Sequence, residues 1–443
     1  MSETYFPRWR LVRPQSGADA VMPDERLDGW KNLAMGAQHV VAMFGSTILA
    51  PLLMGFDPNL AILMSGIGTL IFFVFVGGRV PSYLGSSFAF IGGVIAVTGY
   101  AGSGANPNIG VALGAIVVCG LVYTLIGVVV WYTSARSASG TAWINALMPP
   151  LVTGAIVAVI GLNLAPTAAR GAMGGSTFDA LMALMTVLCV GGVAVFTRGV
   201  WQRLLILVGL LLACVLYALF TNGLGWGAPI DFAAVASAAW LGMPTFHKPV
   251  FEAQAISVIA PVAIILVAEN LGHIKAVSAM TGKDLDHYLG RAFAGDGVAT
   301  MLSGAVGGTG VTTYAENIGV MAATRIYSTL AFVTAALIAI LLGFSPKFGA
   351  LIQAIPGPVL GGMSIVVFGL ITIAGARIWV VNQVDFSRNE NLIVAAVTLI
   401  LGAGNFSLQF GTFHLDGIGT ATFGAILLYA LLRPRADQGL HSA

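Results

Sequence analysis

Residues 310–322 read GVTTYAENIGVMA and place a carboxylate, Glu316, inside a stretch that is otherwise apolar or small. A second carboxylate, Glu269, lies in residues 261–274, PVAIILVAENLGHI, which have the character of a bilayer segment. Ionisable side chains are costly in a membrane and usually face a substrate or ion pathway. The two stretches therefore indicate a transporter that binds a small polar solute at mid-membrane and changes protonation while doing so.

The composition of the chain excludes an ordinary soluble protein. Of its 443 residues, 57% are apolar and 9% are charged, whereas about a quarter of a soluble protein is charged. The net charge is +2, and the charged residues are too sparse to form a basic patch, so no nucleic-acid partner is expected. The sequence contains no Walker motif, dinucleotide fingerprint or metal-ligand spacing, and its three cysteines lie in apolar runs. We therefore predict a protein that is not an enzyme and that needs no cofactor and no metal.

Apolar runs between polar breaks predict an all-α polytopic membrane protein. The fourteen candidate segments lie near residues 33–55, 59–76, 82–99, 110–132, 146–165, 177–196, 200–221, 254–273, 288–306, 310–323, 326–345, 354–374, 389–404 and 417–432. With the N-terminus in the cytoplasm, only Arg170, Lys248 and Lys347 of the 20 basic residues fall outside. The positive-inside rule then favours fourteen crossings with both termini cytoplasmic.

A weak internal repeat relates the third segment of each half. At a constant offset of 226, residues of 78–94 recur in 304–320, with Ala89 matching Ala315 and Gly93 matching Gly319. The first copy is rich in Gly and Ser, and the second in Gly and Thr. Corresponding interrupted segments in two inverted halves indicate a transporter binding site. We therefore predict a 7+7 inverted repeat in which segments 3 and 10 are broken, with a short extended stretch at Val311–Tyr314 before the second half-helix.

Two interpretations remain open for each candidate residue. Glu269 and His273 are four residues apart and share a helical face, so they form either a site carboxylate with a proton-sharing histidine or, with Lys275, a structural ion pair. Glu316 is either a site carboxylate or a helix cap. Asp296 either supports the site or packs between helices.

Gln38 and His39 are polar residues in the apolar first segment. They either line the site or form hydrogen bonds between helices.

Four motifs resemble those of the nucleobase:cation symporter family 2, the nucleobase–ascorbate transporters. Residues Glu316–Arg325 fit its signature of Glu, Gln or Pro, Asn-x-Gly, four residues, and Thr followed by Arg, Lys or Gly. The Gln38–His39 pair, Tyr83–Phe90 and Ala268–His273 are similar to the family's other motifs. The resemblance covers residues 30–433 and is strongest to bacterial uracil and pyrimidine permeases, including the segments Pro23–Leu27 and Asp57–Leu60.

The resemblance implies a division into core and gate domains. The core domain would comprise residues 30–135 and 250–345, and the gate domain residues 136–249 and 346–433. Residues 1–29 and 434–443 would be cytoplasmic tails. The family's properties further imply a homodimer in the bacterial cytoplasmic (inner) membrane that couples transport to H⁺, with Na⁺ left open as the coupling ion.

The resemblance also implies site roles, residue by residue. Glu269 and Glu316 match two substrate-binding carboxylates, and His273 matches the proton-linked histidine. The backbone amides of Phe88 and Ala315 would contact the base, with Tyr314 as an aromatic of the pocket. Apart from these matches, the sequence offers Asn317, Asp296, Gln38 and His39 as candidates for support of the site.

The substrate expected from this resemblance is a pyrimidine nucleobase, most simply uracil. Purine and xanthine members typically carry Gln at the position of Glu316, so Glu favours a pyrimidine. A purine or xanthine symporter stays an alternative. An anion transporter on the same fold is disfavoured because the interrupted segments contain no Lys or Arg, and a membrane enzyme because no nucleophile–base pair is visible.

Overall fold

The computed structural model describes residues 5–13, 19–100, 104–136, 142–411 and 413–432. The described chain is predominantly helical. Its first nine helices are α1 Gly29–Met54, α2 Pro58–Phe75, α3 Phe90–Thr98, α4 Ile109–Arg136, α5 Ala142–Leu147, α6 Pro150–Met173, α7 Thr177–Phe196, α8 Val200–Arg203 and α9 Leu205–Ala218. A π-helical turn, Leu219–Gly223, extends α9.

The remaining helices are α10 Ala233–Ser237, α11 Ala253–Ile259, α12 Val262–Thr281, α13 Leu289–Val306, α14 Ala315–Thr324, α15 Thr329–Gly343, α16 Pro346–Gln353, α17 Gly357–Val381, α18 Asn389–Ala403 and α19 Gly417–Leu432. A 3-10 turn, Asp286–Tyr288, precedes α13. Six short strands form three two-stranded pairs: β1 Arg10–Leu11 with β2 Glu25–Arg26, β3 Leu84–Ser86 with β4 Val311–Thr313, and β5 Leu408–Phe410 with β6 Phe413–Leu415.

The long helices are those of a multi-pass membrane protein. Within the described ranges, eight helices are long and apolar enough to cross a bilayer. The number rises to nine if α15 and α16, which are bent by 83° relative to each other, together form one span. The helices α3, α14, α18 and α19 are shorter. The sequence-based count of fourteen crossings therefore stays a prediction.

Two broken segments meet in the interior through the pair β3–β4. Leu84 lies opposite Thr313 and Ser86 opposite Val311 in an antiparallel register, and both strands are fully buried. Each strand is followed by a short helix, α3 or α14, so both copies of the sequence repeat have the same local structure. Unwound backbone is tolerated at membrane depth where protein satisfies it, and here each break supplies the other's hydrogen bonds. The extended stretch predicted before α14 is confirmed.

The sequence did not predict the other two strand pairs. One of them lies in the segment interpreted as an N-terminal tail, where Val21 also bridges to Ile326. Helix α1 then begins at Gly29, with Asp28 accepting a hydrogen bond from the Lys31 amide at 3.0 Å. The predicted tail is thus folded against the helices over most of its described length. The predicted C-terminal tail, 434–443, lies outside the described residues.

Small residues bring the helices close together. Helix α4 packs along α13, and α6 packs along α17. A Cβ atom on Gly127 of α4 would overlap the backbone of Ala294 in α13. Close backbone approach of this kind stabilises helix pairs in membranes, where no hydrophobic effect drives helices together.

We expect Gly85→Ala to destabilise the protein strongly. A Cβ atom at this position would overlap the ring of Tyr314 and lie 2.7 Å from the Thr47 hydroxyl, and overpacking costs about 1–3 kcal/mol. Gly319→Ala is the matched control, because nothing lies within 4 Å of its added methyl group. Thermal unfolding of both purified variants tests the expectation. Equal melting temperatures for the two would contradict the packing described here.

Candidate functional site

Glu316 lies in the first turn of α14. The hydroxyl of Ser46, in α1, donates a hydrogen bond to its carboxylate. A helix N-terminus carries unpaired N–H groups and the positive end of the helix dipole, which favours a negative charge there. The carboxylate is therefore held in place by a neighbouring helix and by the start of its own helix.

One backbone amide at the start of each half-helix is free to donate. Ala315 is the first residue of α14, and its N-cap residue Tyr314 provides no side-chain cap. Within the described ranges, neither the Ala315 amide nor the Phe88 amide, which precedes α3, has a hydrogen-bond acceptor. These are the two amides that the family resemblance assigns to the base. Unpaired donors at the starts of two half-helices are suited to bind carbonyl oxygens.

Glu269 and His273 both project from α12. Within the described chain, the Glu269 Oε2 atom is buried without a hydrogen-bond partner, and this carboxylate lies within electrostatic range of Glu316. His273 does not bond Glu269. Its Nδ1 atom lies 2.8 Å from the Thr313 hydroxyl at the end of β4, so the histidine links α12 to the second break.

The alternative of a structural ion pair at Glu269 finds no support. Lys275, the cation proposed for that pair, donates to both carboxylate oxygens of Asp286 at 2.6 Å. Glu269 is therefore left with an unsatisfied oxygen in a region where an unpaired polar atom is costly. A ligand that donates N–H groups would satisfy it.

Tyr314 connects the two breaks. Its hydroxyl donates to the Ser86 carbonyl at 2.8 Å and accepts from the Thr47 hydroxyl at 3.3 Å. The side chain is 3% exposed and its ring packs on Gly85. The geometry gives it a structural contact with β3 and α1, and its role as a pocket aromatic stays a prediction.

Open space adjoins this cluster on the side of α14. Ala315 and Gly319, one helical turn apart, are exposed, and nothing in the described chain lies within 4 Å of a Cβ atom placed on Gly319. Phe88 is 8% exposed and makes an edge-to-face contact with Phe368 of α17, at 5.9 Å between ring centres. Phe88 thus lies where the helices of the first break meet those of the last third of the chain.

His39 forms a buried contact with Asn317, the residue that follows Glu316 in α14. The Asn317 amide donates to the His39 carbonyl at 3.1 Å and lies 3.1 Å from its Nδ1 atom. The His39 ring also packs on Phe332 at 4.3 Å. These contacts join α1, α14 and α15. They correspond to the interhelical hydrogen-bonding role that was one of the two interpretations of His39. Within the described residues, the buried amide nitrogen of Gln38 has no partner.

Asp296 belongs to an internal polar cluster. It is fully buried in α13, where it accepts from the Asn270 amide at 2.6 Å. The same amide donates to the Tyr123 hydroxyl at 3.0 Å. Because Asn270 is adjacent to Glu269, the cluster braces α12 from behind. Glu269 and Glu316 are partly exposed, whereas Asp296 is not.

Sequence reasoning missed three hydroxyl residues of the site: Ser46, Thr47 and Thr313. A signal for the first two was present, because Ser46 and Thr47 lie seven and eight residues after His39 and so share its helical face. No local signal pairs Thr313 with His273. Within the described residues, no group of three or more His, Cys, Asp or Glu side chains could hold a metal ion.

The site therefore combines two carboxylates as acceptors with two free backbone amides as donors. Such a set matches a small planar solute whose edge alternates N–H and C=O groups.

Comparison with known proteins identifies relatives of this chain among permeases. The model of a permease family matches residues 30–410. A relative from Escherichia coli (strain K12) named pyrimidine permease RutG is 65% identical over 427 residues, covering 96% of this chain and 95% of the relative. A uracil permease of Paenibacillus larvae is 42% identical, covering 92% and 95%. The uracil permease of Escherichia coli (strain K12) is 38% identical, covering 93% and 94%.

Solved structures of transporters share the fold. The transmembrane domain of the cyanobacterial bicarbonate transporter BicA aligns with a TM-score of 0.57 at 15% identity, covering 90% of this chain and 97% of that one. SLC26A9 aligns with a TM-score of 0.62 at 12% identity, covering 90% and 64%. The chain is a transporter and not an enzyme. The family match, the relatives and the motifs together identify it as a member of the xanthine–uracil permease family, the nucleobase:cation symporter family 2.

Proposed function

We propose that this transporter takes up pyrimidine nucleobases, with uracil as the main substrate, together with protons across the bacterial cytoplasmic membrane. The observation that carries the proposal is the unpartnered Glu269 oxygen within electrostatic range of Glu316, which lies at the break where the Ala315 amide is free. Relatives named uracil or pyrimidine permease support the choice of substrate.

Uracil is complementary to these groups. Its ring presents two N–H donors and two carbonyl acceptors. Carboxylates accept from N–H groups, and unpaired amides donate to carbonyl oxygens. A hydrogen bond to a charged partner contributes about 1.5–3 kcal/mol, so a few such bonds account for selective binding of a small polar ring. The interrupted segments carry no Lys or Arg, which disfavours an anionic solute.

Transport would proceed by alternating access between a core and a gate domain. The packing supports this division: α13 packs on α2 and α4, whereas α17 packs on α6 and α7. A described helix lies in each of the fourteen segments predicted as crossings, which supports fourteen crossings in two inverted halves. The Phe88–Phe368 contact would then lie on the surface that moves.

Proton coupling would reside on α12. An ionised, empty site is costly to move through a low-dielectric environment. Glu269 would carry the coupled proton or pass it through His273, and uracil would bind the loaded form. Both termini would be cytoplasmic and the protein a homodimer, as the family's pattern implies.

Calorimetric titration of the purified protein with uracil and with xanthine tests the substrate. We expect uracil to bind and xanthine to bind more weakly. Tighter binding of xanthine would favour the purine alternative.

We expect Phe88→Ala to weaken uracil binding less than removal of either carboxylate. If Phe88 contacts the base through its amide, alanine keeps that contact and loses only packing of the ring, including its contact with Phe368. Equilibrium binding of Phe88→Ala and Glu269→Ala, measured side by side, checks the order. A larger defect in Phe88→Ala would show that the ring, and not the amide, carries the interaction.

A further inference from the structure

The segment before α1 is bonded to the far end of the helix that carries Glu316. The described residues 5–13 and 19–27, called here the N-terminal clasp, run across the chain that joins α14 to α15. The Val21 amide donates to the Arg325 carbonyl at 2.9 Å, and the Tyr327 amide donates to the Val21 carbonyl at 2.7 Å. Val21 is fully buried. The contact is therefore a specific backbone pairing with an inserted side chain.

Side chains extend this contact. The Thr329 hydroxyl donates to the Pro23 carbonyl at 2.9 Å and receives the Trp9 indole N–H at 3.0 Å. The Ser328 hydroxyl donates to the Glu25 carbonyl at 2.5 Å. A parallel pairing of β1 with β2 ties the two parts of the clasp together. These bonds converge on the start of α15, immediately after α14 ends.

Salt bridges of Asp24 attach the clasp at a second place, near the end of α12. Asp24 pairs with Lys283, which follows α12, at 3.3 Å, and with Arg10 of the clasp at 3.3 Å. Exposed pairs contribute little on their own. Here they connect the clasp to the end of α12, the helix that carries Glu269. The clasp thus contacts the ends of both helices that supply a site carboxylate.

Helix α14 is short enough to transmit this contact. Its ten residues, Ala315–Thr324, span about 15 Å at 1.5 Å per residue. Glu316 is at one end, and Arg325 at the other has a left-handed φ of 55°, an uncommon conformation for a residue other than glycine. The exposed face at Ala315 and Gly319 has no packing partner in the described chain. The clasp therefore restrains the C-terminal end of this half-helix, whereas Glu316 and Asn317 attach its N-terminal end to α1.

We propose that the N-terminal clasp positions the α14 half-helix for substrate binding, and that substrate binding in turn stabilises the docked clasp. This inference rests on the proposed function, since it names uracil as the ligand that α14 binds. The second half follows from thermodynamic reciprocity: if docking raises the affinity for substrate, substrate raises the affinity of the clasp for its dock by the same factor.

The chain offers a matched pair of variants. Val21→Asp places a charge in the buried dock. Leu11→Asp makes the same kind of change at a position of the clasp that is 48% exposed. We expect Val21→Asp to raise the dissociation constant for uracil about tenfold, a typical coupling strength, and Leu11→Asp to leave it unchanged. Calorimetric titration measures both.

Hydrogen exchange of the wild-type protein provides the second readout. We expect uracil to slow exchange in peptides covering residues 19–28 and 321–330 more than in peptides from α7, because a gain in global stability alone would slow exchange in all of them. This measurement needs no variant, so it decides the matter even if Val21→Asp does not fold. The proposed role of the clasp would be overturned if a folded Val21→Asp variant bound uracil with unchanged affinity. It would also be overturned if saturating uracil left the exchange rates of both peptides unchanged. Absence of uracil binding by the wild type would instead contradict the proposed function and, with it, this inference.

Discussion

Glu316→Gln is expected to weaken uracil binding about tenfold to a hundredfold while the protein still folds. Glutamine keeps the shape of the side chain and can accept the Ser46 hydrogen bond, but it presents a donor where the base needs an acceptor. A lost or mispaired hydrogen bond in a site shielded from water costs about 1–3 kcal/mol. Calorimetric titration with uracil, together with a melting curve, separates the loss of binding from a loss of stability.

Glu252→Gln is the matched control for this variant. Glu252 is exposed and precedes α11, where its side chain forms no cap, so its neutralisation should leave binding unchanged. Uracil affinity in Glu316→Gln equal to that of the control would remove Glu316 from the site.

Glu269→Gln is expected to abolish accumulation driven by a pH gradient while retaining exchange of uracil across the membrane. Glutamine is a permanent mimic of the neutral acid, so the site could still bind uracil and reorient, but it could not gain or release a proton. The paired measurement in proteoliposomes is counterflow without a gradient and uptake with an imposed gradient. Loss of the second activity with retention of the first is the expected result.

His273→Ala distinguishes a relay from a carrier. His273 contacts Thr313 and not Glu269, so its removal should weaken coupling less than Glu269→Gln does. Full gradient-driven accumulation by Glu269→Gln would show that another group carries the proton, with Glu316 the next candidate. Accumulation lost in His273→Ala but kept in Glu269→Gln would assign the proton to the histidine.

Local periodicity explains what the sequence could predict of the site. Glu269 and His273 share a face because they are one helical turn apart, and a carboxylate in a bilayer segment is unusual wherever it occurs. The Gly and Thr content of residues 310–314 signalled a broken segment because such residues favour close approach and unwound backbone. These are properties of neighbouring residues, and each can be seen without knowledge of the fold.

The remaining contacts depend on which segments meet in space. Ser46 and Glu316 are 270 residues apart, and His273 and Thr313 are 40 residues apart. Neither pairing has a local signature. The N-terminal segment was interpreted as a tail because its arginines are charged and its prolines disfavour a helix. Its pairing with residues 325–329 uses backbone groups at Val21, Arg325 and Tyr327, and every residue except proline provides such donors and acceptors, so composition does not reveal the pairing.

Radiolabelled uracil uptake into proteoliposomes tests the central claim most directly. With the purified protein and an inward proton gradient, we predict saturable accumulation of uracil above its external concentration, and loss of that accumulation when a protonophore collapses the gradient. Uptake no greater than that of protein-free liposomes, or accumulation that persists after the gradient is collapsed, would contradict the account.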